Sequence, residues 1–337
     1  MNRILLLLGA VFALLPFATP KAHSQSAPPK FRWQELTAAG GIADGRFQSQ
    51  FIVPLDLRDD GSWFAVIYHA DSAPNYVVVK GDRVTDVPFT GDGALYQMNA
   101  SGDACGWEYT DPEETVASGV LRDRDGRLTA FAPPQGFPYA ILNGISNNGQ
   151  LVGQAYDEDF NAYAVRVVDG ACLITPIPVD TIYSYFTSVN NDGAVAGAFY
   201  DLDFNFSSFV WDAAGFHIVT APNVTGLTLS KLNNRGMGVG AGYLLSAGRG
   251  VGIVREANGS VYTVDYQPNW APTRTFTLPS GEEVVATLGI NFGSQLLSVN
   301  DSGRVLATAQ VLYYYKVGDV KYSIPVTQYA IGTPAGH

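Results

Sequence analysis

The stretch Val189-Asn-Asn-Asp-Gly-Ala-Val-Ala-Gly197 reads as the end of one β-strand, a tight turn and the start of a second strand. Val189 is apolar and closes the first strand. Asn190, Asn191 and Asp192 can bond the backbone of their own turn, and Gly193 accepts the positive φ such a turn demands. Outward in both directions the same pattern recurs around Gly61, Gly102, Gly149, Gly193, Gly236 and Gly303, at spacings of 41, 47, 44, 43 and 67 residues.

The repeat is specific at four positions. Four residues before each glycine stands an apolar side chain: Leu57, Met98, Ile145, Val189, Leu232 and Val299. Three before it are Arg58, Asn99, Ser146, Asn190, Asn233 and Asn300. Four after it the residue is always small: Ala65, Gly106, Gly153, Gly197, Gly240 and Ala307. Seven after it come Tyr68, Tyr109, Tyr156, Tyr200 and Tyr243, with Gln310 the exception. A second turn glycine follows in every unit, at Gly81, Gly126, Gly170, Gly215, Gly259 and Gly318, flanked by β-rich runs such as Asn75-Tyr-Val-Val-Val-Lys80. Two hairpins per unit of 40 to 50 residues is a four-stranded antiparallel blade, so the pattern predicts an all-β, six-bladed β-propeller. The run Phe31-Arg-Trp-Gln-Glu-Leu36 is expected to pair beside the C-terminal strands and close the ring. The small residue is expected to prevent crowding between neighbouring blades, and the tyrosines to pack there with bonded hydroxyls.

Asn190-Asn-Asp-Gly-Ala-Val-Ala-Gly197 followed by Ser208-Phe-Val-Trp211 resembles the HAF-type extracellular repeat, whose form is Ile/Val-Asn-x-x-Gly-x-Val-x-Gly and then Ala-Phe-x-Trp. The similarity covers most of residues 51 to 328, is good at the Asn-x-x-Gly-x-x-x-Gly core, and in its second part is well kept only by the fourth unit. The resemblance implies an exported propeller and transfers no catalytic residue.

Composition and the N-terminus point the same way. Residues 1–24 have a basic start at Arg3, an apolar run from Ile4 to Leu15 and a small-residue exit at Ala22-His23-Ser24, the pattern of a secretory signal peptide. The run is too short to span a bilayer as a helix and no later stretch replaces it. Residues 25–337 are therefore read as one secreted, monomeric propeller domain with no membrane span. Loss of Arg3 and Lys21 with the signal moves the formal charge from −11 to −13, and no basic patch offers itself to nucleic acid. Cys105 and Cys172 lie in different units at different strand positions, so a disulfide between them is open but not required.

Function is sought where the symmetry breaks. Loops between the second and third strands are acidic in four units, carrying Asp71; Asp111, Glu113 and Glu114; Asp157, Glu158 and Asp159; Asp201 and Asp203; units five and six offer Arg249 and Lys316 instead. Two of these loops read Asp157, Asp159, Asn161 and Asp201, Asp203, Asn205, an oxygen alternation that could wrap Ca²⁺, the one cofactor the motifs raise, or could be an Asx-rich turn. The EF-hand pattern fails at Ala162 and Phe206, which hold its Gly position, and at Val168 and Asp212, which hold its Glu position. The long last spacing leaves an insertion at about 266–295, with Trp270, Arg274 and Phe276 and a hairpin tip at Ser280-Gly281. Connections between units add Tyr139, Tyr183 and Tyr185 to the aromatics on the same rim.

Two functions compete. Tyr139, Tyr183, Tyr185, Trp270 and Arg274 suggest a mouth that binds a glycan, peptide or protein, since aromatic faces stack without charge; the alternative for these residues is a cover over core. The rival is a polysaccharide hydrolase or lyase with Tyr68, His69 and Asp71 as its acid–base set. His69 and His217 are the internal imidazoles of the mature chain, which removes a multi-histidine metal site. No nucleophile elbow, phosphate loop or nucleotide fingerprint is present.

Overall fold

A computed structural model describes residues 28–36, 51–69, 72–111, 113, 115–278 and 280–335, so the N-terminal stretch read as a signal peptide, Asp71 and Glu114 lie outside the described residues. Every regular element described is a strand. β1 is Phe31–Leu36; β2 to β5 are Phe51–Leu57, Trp63–Tyr68, Asn75–Lys80 and Arg83–Val87, paired in that order as one antiparallel sheet. β6 to β9 (Gly93–Met98, Ala104–Tyr109, Ala117–Arg122, Leu128–Phe131) pair likewise, as do β10 to β13 (Tyr139–Ile145, Leu151–Tyr156, Ala162–Val168, Ala171–Ile174); the single parallel contact Tyr139↔Ala117 joins these two sheets. β14 to β17 are Thr181–Val189, Val195–Asp201, Phe206–Asp212 and Gly215–Val219, and β18 to β21 are Val224–Leu232, Gly238–Leu244, Arg249–Arg255 and Val261–Val264. β22 (Thr273–Thr277) pairs with the first half of β23 (Glu283–Val299), which continues through β24 (Val305–Val317) to β25 (Val320–Pro334).

The N-terminal strand completes the C-terminal sheet. β1 lies antiparallel to β25 from Phe31↔Pro334 to Leu36↔Tyr329, so the run expected to pair there supplies the fourth strand. Apart from a small cluster within the last sheet, the apolar clusters lie between successive sheets. Phe64 and Val66 of one sheet pack with Leu95, Met98 and Val120 of the next. The same relation holds along the chain, and Leu57, Trp63 and Ile67 of the first sheet pack against Leu306 and Ile331 of the last.

What ties the sheets together is a circuit of hydrogen bonds through the six turns. Two residues before the turn glycine, in every unit but the second, a side-chain oxygen accepts the backbone N–H of the preceding unit's turn. Ala100 N–H donates to Asn147 Oδ1 at 2.8 Å, Asn147 to Asn191, Asn191 to Asn234, Asn234 to Asp301 and Asp301 to Asp59, every one between 2.7 and 2.8 Å. A second circuit uses the Asn one position earlier. Its Oδ1 caps its own turn, as Asn233 does for the N–H groups of Arg235 and Met237, and its Nδ2 donates onward to the next unit, from Asn233 to Asn300 O at 2.9 Å and from Asn300 to Arg58 O at 3.1 Å. The Asn preference thus has a cause: one short side chain satisfies its own turn and the neighbour's. At the one place where the partner side chain is lacking, Ala100, the Arg58 guanidinium reaches Ala100 O at 2.8 Å instead.

The small residue after the turn acts within one sheet, which corrects the expectation of crowding between sheets. Each innermost strand carries a register shift just after the residue facing it, between Pro54/Asp56, Leu95/Gln97, Leu142/Gly144, Phe186/Ser188, Leu229/Lys231 and Leu296/Ser298. At the four glycines, the carbonyl of the residue just before the facing one points at the position: Ala94, Ile141, Tyr185 and Thr228. A Cβ on Gly106, Gly153, Gly197 or Gly240 would stand 1.8, 1.9, 2.3 or 1.8 Å from that oxygen.

Replacement of Ala100 by Asn should supply the missing acceptor and raise the thermal midpoint by about 1–3 °C, the worth of one hydrogen bond in a protein of this size. Asn233→Ala, which strips caps from two turns at a buried site, should cost about 2–3 kcal/mol. Chemical denaturation of both variants checks this; an unchanged or lowered midpoint for Ala100→Asn would contradict the circuit.

Candidate functional site

Innermost strands all run toward the turns, which leaves two unlike faces. Around the axis on the turn face is a hollow of about 40 Å³, lined by the apolar ring that includes Leu57, Met98, Ile145 and Val189 and by the turn asparagines. Directly beneath, the bulge residues form a polar belt. Lys231 Nζ bonds Asp56 Oδ2 at 2.6 Å and Gln97 Oε1 at 3.2 Å, and Asp56 also accepts from Ser298 Oγ at 2.5 Å and Met98 N–H at 3.2 Å. Gln97 Nε2 continues to Thr187 O at 3.3 Å. Asp56 is 1% exposed, and a carboxylate so placed is tolerable because both oxygens accept hydrogen bonds and Lys231 offsets the charge. The belt is a strut across the axis, with its polar groups spent on one another.

The opposite face is aromatic. Where inner strands begin and second strands end, Tyr183 faces Tyr200 and Tyr139 faces Tyr156 in cross-strand register. Nearer the axis, Trp107 Nε1 donates to the Tyr96 hydroxyl at 2.8 Å, and Tyr109 meets Trp107 edge-on at 5.0 Å. Tyr96, Trp107, Tyr156 and Tyr185 are half-buried, with part of each ring open to solvent. Burial pushes the phenols of Tyr96, Tyr156 and Tyr185 above their ordinary range and that of Tyr329 up to about 12, so these groups stay neutral at physiological pH. Most of the large apolar side chains left exposed also lie on this side, among them Phe160 at 66%, Phe204 at 69% and Leu245 at 62%.

The residues singled out from sequence divide. Tyr139, Tyr183 and Tyr185 lie in the first halves of inner strands β10 and β14; Tyr139 stacks on Phe160 at 5.8 Å and Tyr183 meets Tyr200 edge-on at 5.9 Å. Trp270 instead covers core: it packs against the clusters around Tyr266 and Tyr313, and Tyr313 donates its hydroxyl to Ala271 O at 2.7 Å. Arg274 is exposed and lies over the Phe276 ring at 5.3 Å. The tyrosine series does not pack between sheets. Tyr68 and Tyr243 are 49% and 46% exposed and Tyr109, Tyr156 and Tyr200 are half-buried, because their position falls at the strand end, past the inter-sheet core.

The acidic stretches are self-capped turns. Asp157 Oδ1 accepts from Asp159 N–H at 3.0 Å and Asn161 N–H at 2.8 Å, while its Oδ2 accepts from Asn161 Nδ2; Asp201 does the same for Asp203 and Asn205. Both carboxyls lie below the usual range: for Asp157 desolvation is the largest single influence and pushes up but is outweighed by these bonds together, and for Asp201 the bonds to Asn205 come first. Two of the oxygens meant for Ca²⁺ are thus turned toward their own backbone, and among the described residues no three His, Cys, Asp or Glu side chains gather as a metal-holding group. Among the described residues His69 Nε2 is buried with no hydrogen-bond partner, and Tyr68 is exposed; Asp71 lies outside the described residues.

Sequence reasoning overlooked Phe160 and Phe204. Each sits at φ 61, a left-handed conformation that bulky residues rarely adopt. The signal was present: an aromatic at the tip of an Asp-x-Asp-Phe-Asn turn has no core to enter.

No family model matches this chain, and no curated protein matches it. Solved structures do. TolB from Acinetobacter baumannii is similar at 12% identity over 82% of this chain and 64% of its own, with a TM-score of 0.45. The Xanthomonas campestris gluconolactonase XC5397 is similar at 10% identity over 91% of this chain and 96% of its own, TM-score 0.45. A mutant of the Aleuria aurantia lectin in complex with a fucose-containing disaccharide is similar at 10% identity over 86% and 99%, TM-score 0.42. This chain spans just under two thirds of the length of that TolB. Among the described residues no helix is long and apolar enough to cross a membrane.

Both cysteines are free and buried, in one cluster between the second and third sheets. Burial pushes the Cys105 thiol up to about 12 and the Cys172 thiol up to about 11. The thiolate is the reactive form. At mildly alkaline pH the folded protein should therefore release no chromophore from a disulfide reagent, and in guanidinium it should titrate two thiols; rapid reaction of the native protein would contradict this placement.

Proposed function

We propose that this chain is an exported six-bladed β-propeller, made of four-stranded antiparallel blades, that works as a binding module. It engages a glycan, peptide or protein through the aromatic face opposite the turns. The blade count is supported by the six turns joined in one hydrogen-bonded circuit and by β1 completing the last sheet. Export is supported by the basic-then-apolar start of the sequence.

The observation that carries the binding reading is the contrast between faces. On the turn face, polar groups are consumed by one another and the axial hollow, at about 40 Å³, has room for only a few water molecules. On the other face, neutral half-buried rings surround the axis and exposed apolar side chains ring them, an arrangement that monomeric surfaces rarely leave uncovered without a partner. The insertion adds to it: β22 to β25 extend past the other sheets on this side around a small core of Ala286, Val311 and Tyr313.

The test is an array of glycans and peptides probed with the mature protein. The double variant Trp107→Ala with Tyr185→Ala, on the aromatic face, should lose about tenfold or more in affinity for the retained ligand. Ile218→Ser, an exposed position on outer strand β17, should lose nothing. Retention unaffected by the double variant, or ligand turnover that requires His69, would overturn the binding reading.

A further inference from the structure

Three hollows on the aromatic face run into one another. One of about 530 Å³ lies between Phe204 and the start of β18; the next, about 660 Å³, shares Thr225 and Gly226 with it; the third, about 720 Å³, shares Ile290 with the second. Each is of a size that small-molecule sites have. Together they make a trough across the margins of the sheets that contain β14–β17, β18–β21 and β23–β25.

Its lining has a definite chemistry. Phe204, Tyr243 and Phe292 present rings that are 69%, 46% and 46% exposed. Phe204 is held out by a left-handed backbone, a conformation that costs about 1–3 kcal/mol and is kept here by the bonds from the turn to Asp201. Gly226, also left-handed, leaves bare main chain where the first two hollows meet, with nothing within 4 Å of where a Cβ would stand. Between the rings lie Asn205, Thr225, Thr228 and Gln295, each able to donate and accept.

Charge complementarity then chooses the ligand. In the first two hollows Arg249 is the one charged lining residue, and it is ion-paired with Asp265. Anions would meet Asp201 and Asp203 beside the first hollow, and cations would meet Lys316 and Lys321 at the third. An extended peptide is taken by main-chain pairing at an open strand edge or by charged pairs, whereas rings alternating with hydroxyls and amides suit a chain of rings with apolar faces and hydroxyl rims.

We infer that the first two hollows bind a neutral oligosaccharide, its sugar rings stacked on Phe204, Tyr243 and Phe292 and its hydroxyls bonded by the threonines, Asn205 and Gln295. This rests on the aromatic face being the binding face. The probes are immobilised neutral gluco-, galacto-, manno-, xylo- and fuco-oligosaccharides, with uronic-acid and sulfated counterparts and an extended-peptide library beside them. Wild-type protein should retain a neutral oligosaccharide with an affinity indifferent to salt. Phe204→Ala and Tyr243→Ala should each lower that affinity about tenfold. Gly226→Asn, which keeps the left-handed backbone and fills the floor, should abolish it; an unchanged thermal midpoint for the three variants shows that folding is intact. Retention of peptides or anionic glycans alone, lost in the Trp107/Tyr185 double variant, would overturn the oligosaccharide and leave the binding face standing. Neutral binding that survives all three trough variants would overturn the trough, and retention of no probe of any class would overturn both.

Discussion

The structure depends on one donated hydrogen bond repeated around the axis: a turn amide gives its proton to the side-chain oxygen of the next unit's turn, from Ala100 through Asn147, Asn191, Asn234 and Asp301 to Asp59. Sheets joined only by apolar clusters could slide over one another, because dispersion and hydration are not directional. The circuit is directional. It sets every turn at one height, and with the turns fixed the bulge in each inner strand falls at one level, which is why a belt of polar side chains can meet across the axis.

That belt explains a feature far from it in sequence. Asp56 and Lys231 are 175 residues apart, yet their ion pair spans the centre. A buried pair of this kind adds little net stability but penalises any other arrangement, since an offset would strand a charge. The glycines four after the turn serve the same inner strands, since a Cβ there would strike a main-chain carbonyl of the facing strand.

Legibility followed locality. Turns, small residues and the pairing of Phe31–Leu36 could be read because each rests on short-range pattern or on a gap left by a short last unit. The acidic loops were legible as Asx turns and also as cation loops; what composition could not give is the direction of the Asp157 and Asp201 oxygens, which accept their own turns' N–H groups. The tyrosines misled because a repeating residue suggests packing, while their register carries them past the core to the strand ends. Trp270 misled in the other direction, since the insertion brings its own small core for the indole to cover. The trough was illegible, being assembled from the margins of three sheets.

The hydrogen-bonded circuit and the open rings therefore lie on opposite faces. Native-state hydrogen exchange tests the circuit most directly. The amides of Asn147, Asn191, Asn234 and Asp301 are predicted to exchange with protection close to that of the core strands, although they lie in tight turns. The Asp59 amide, opposite Ala100, is predicted to exchange faster than these four. Turn amides that all exchange at the rate of unprotected loops would contradict the account.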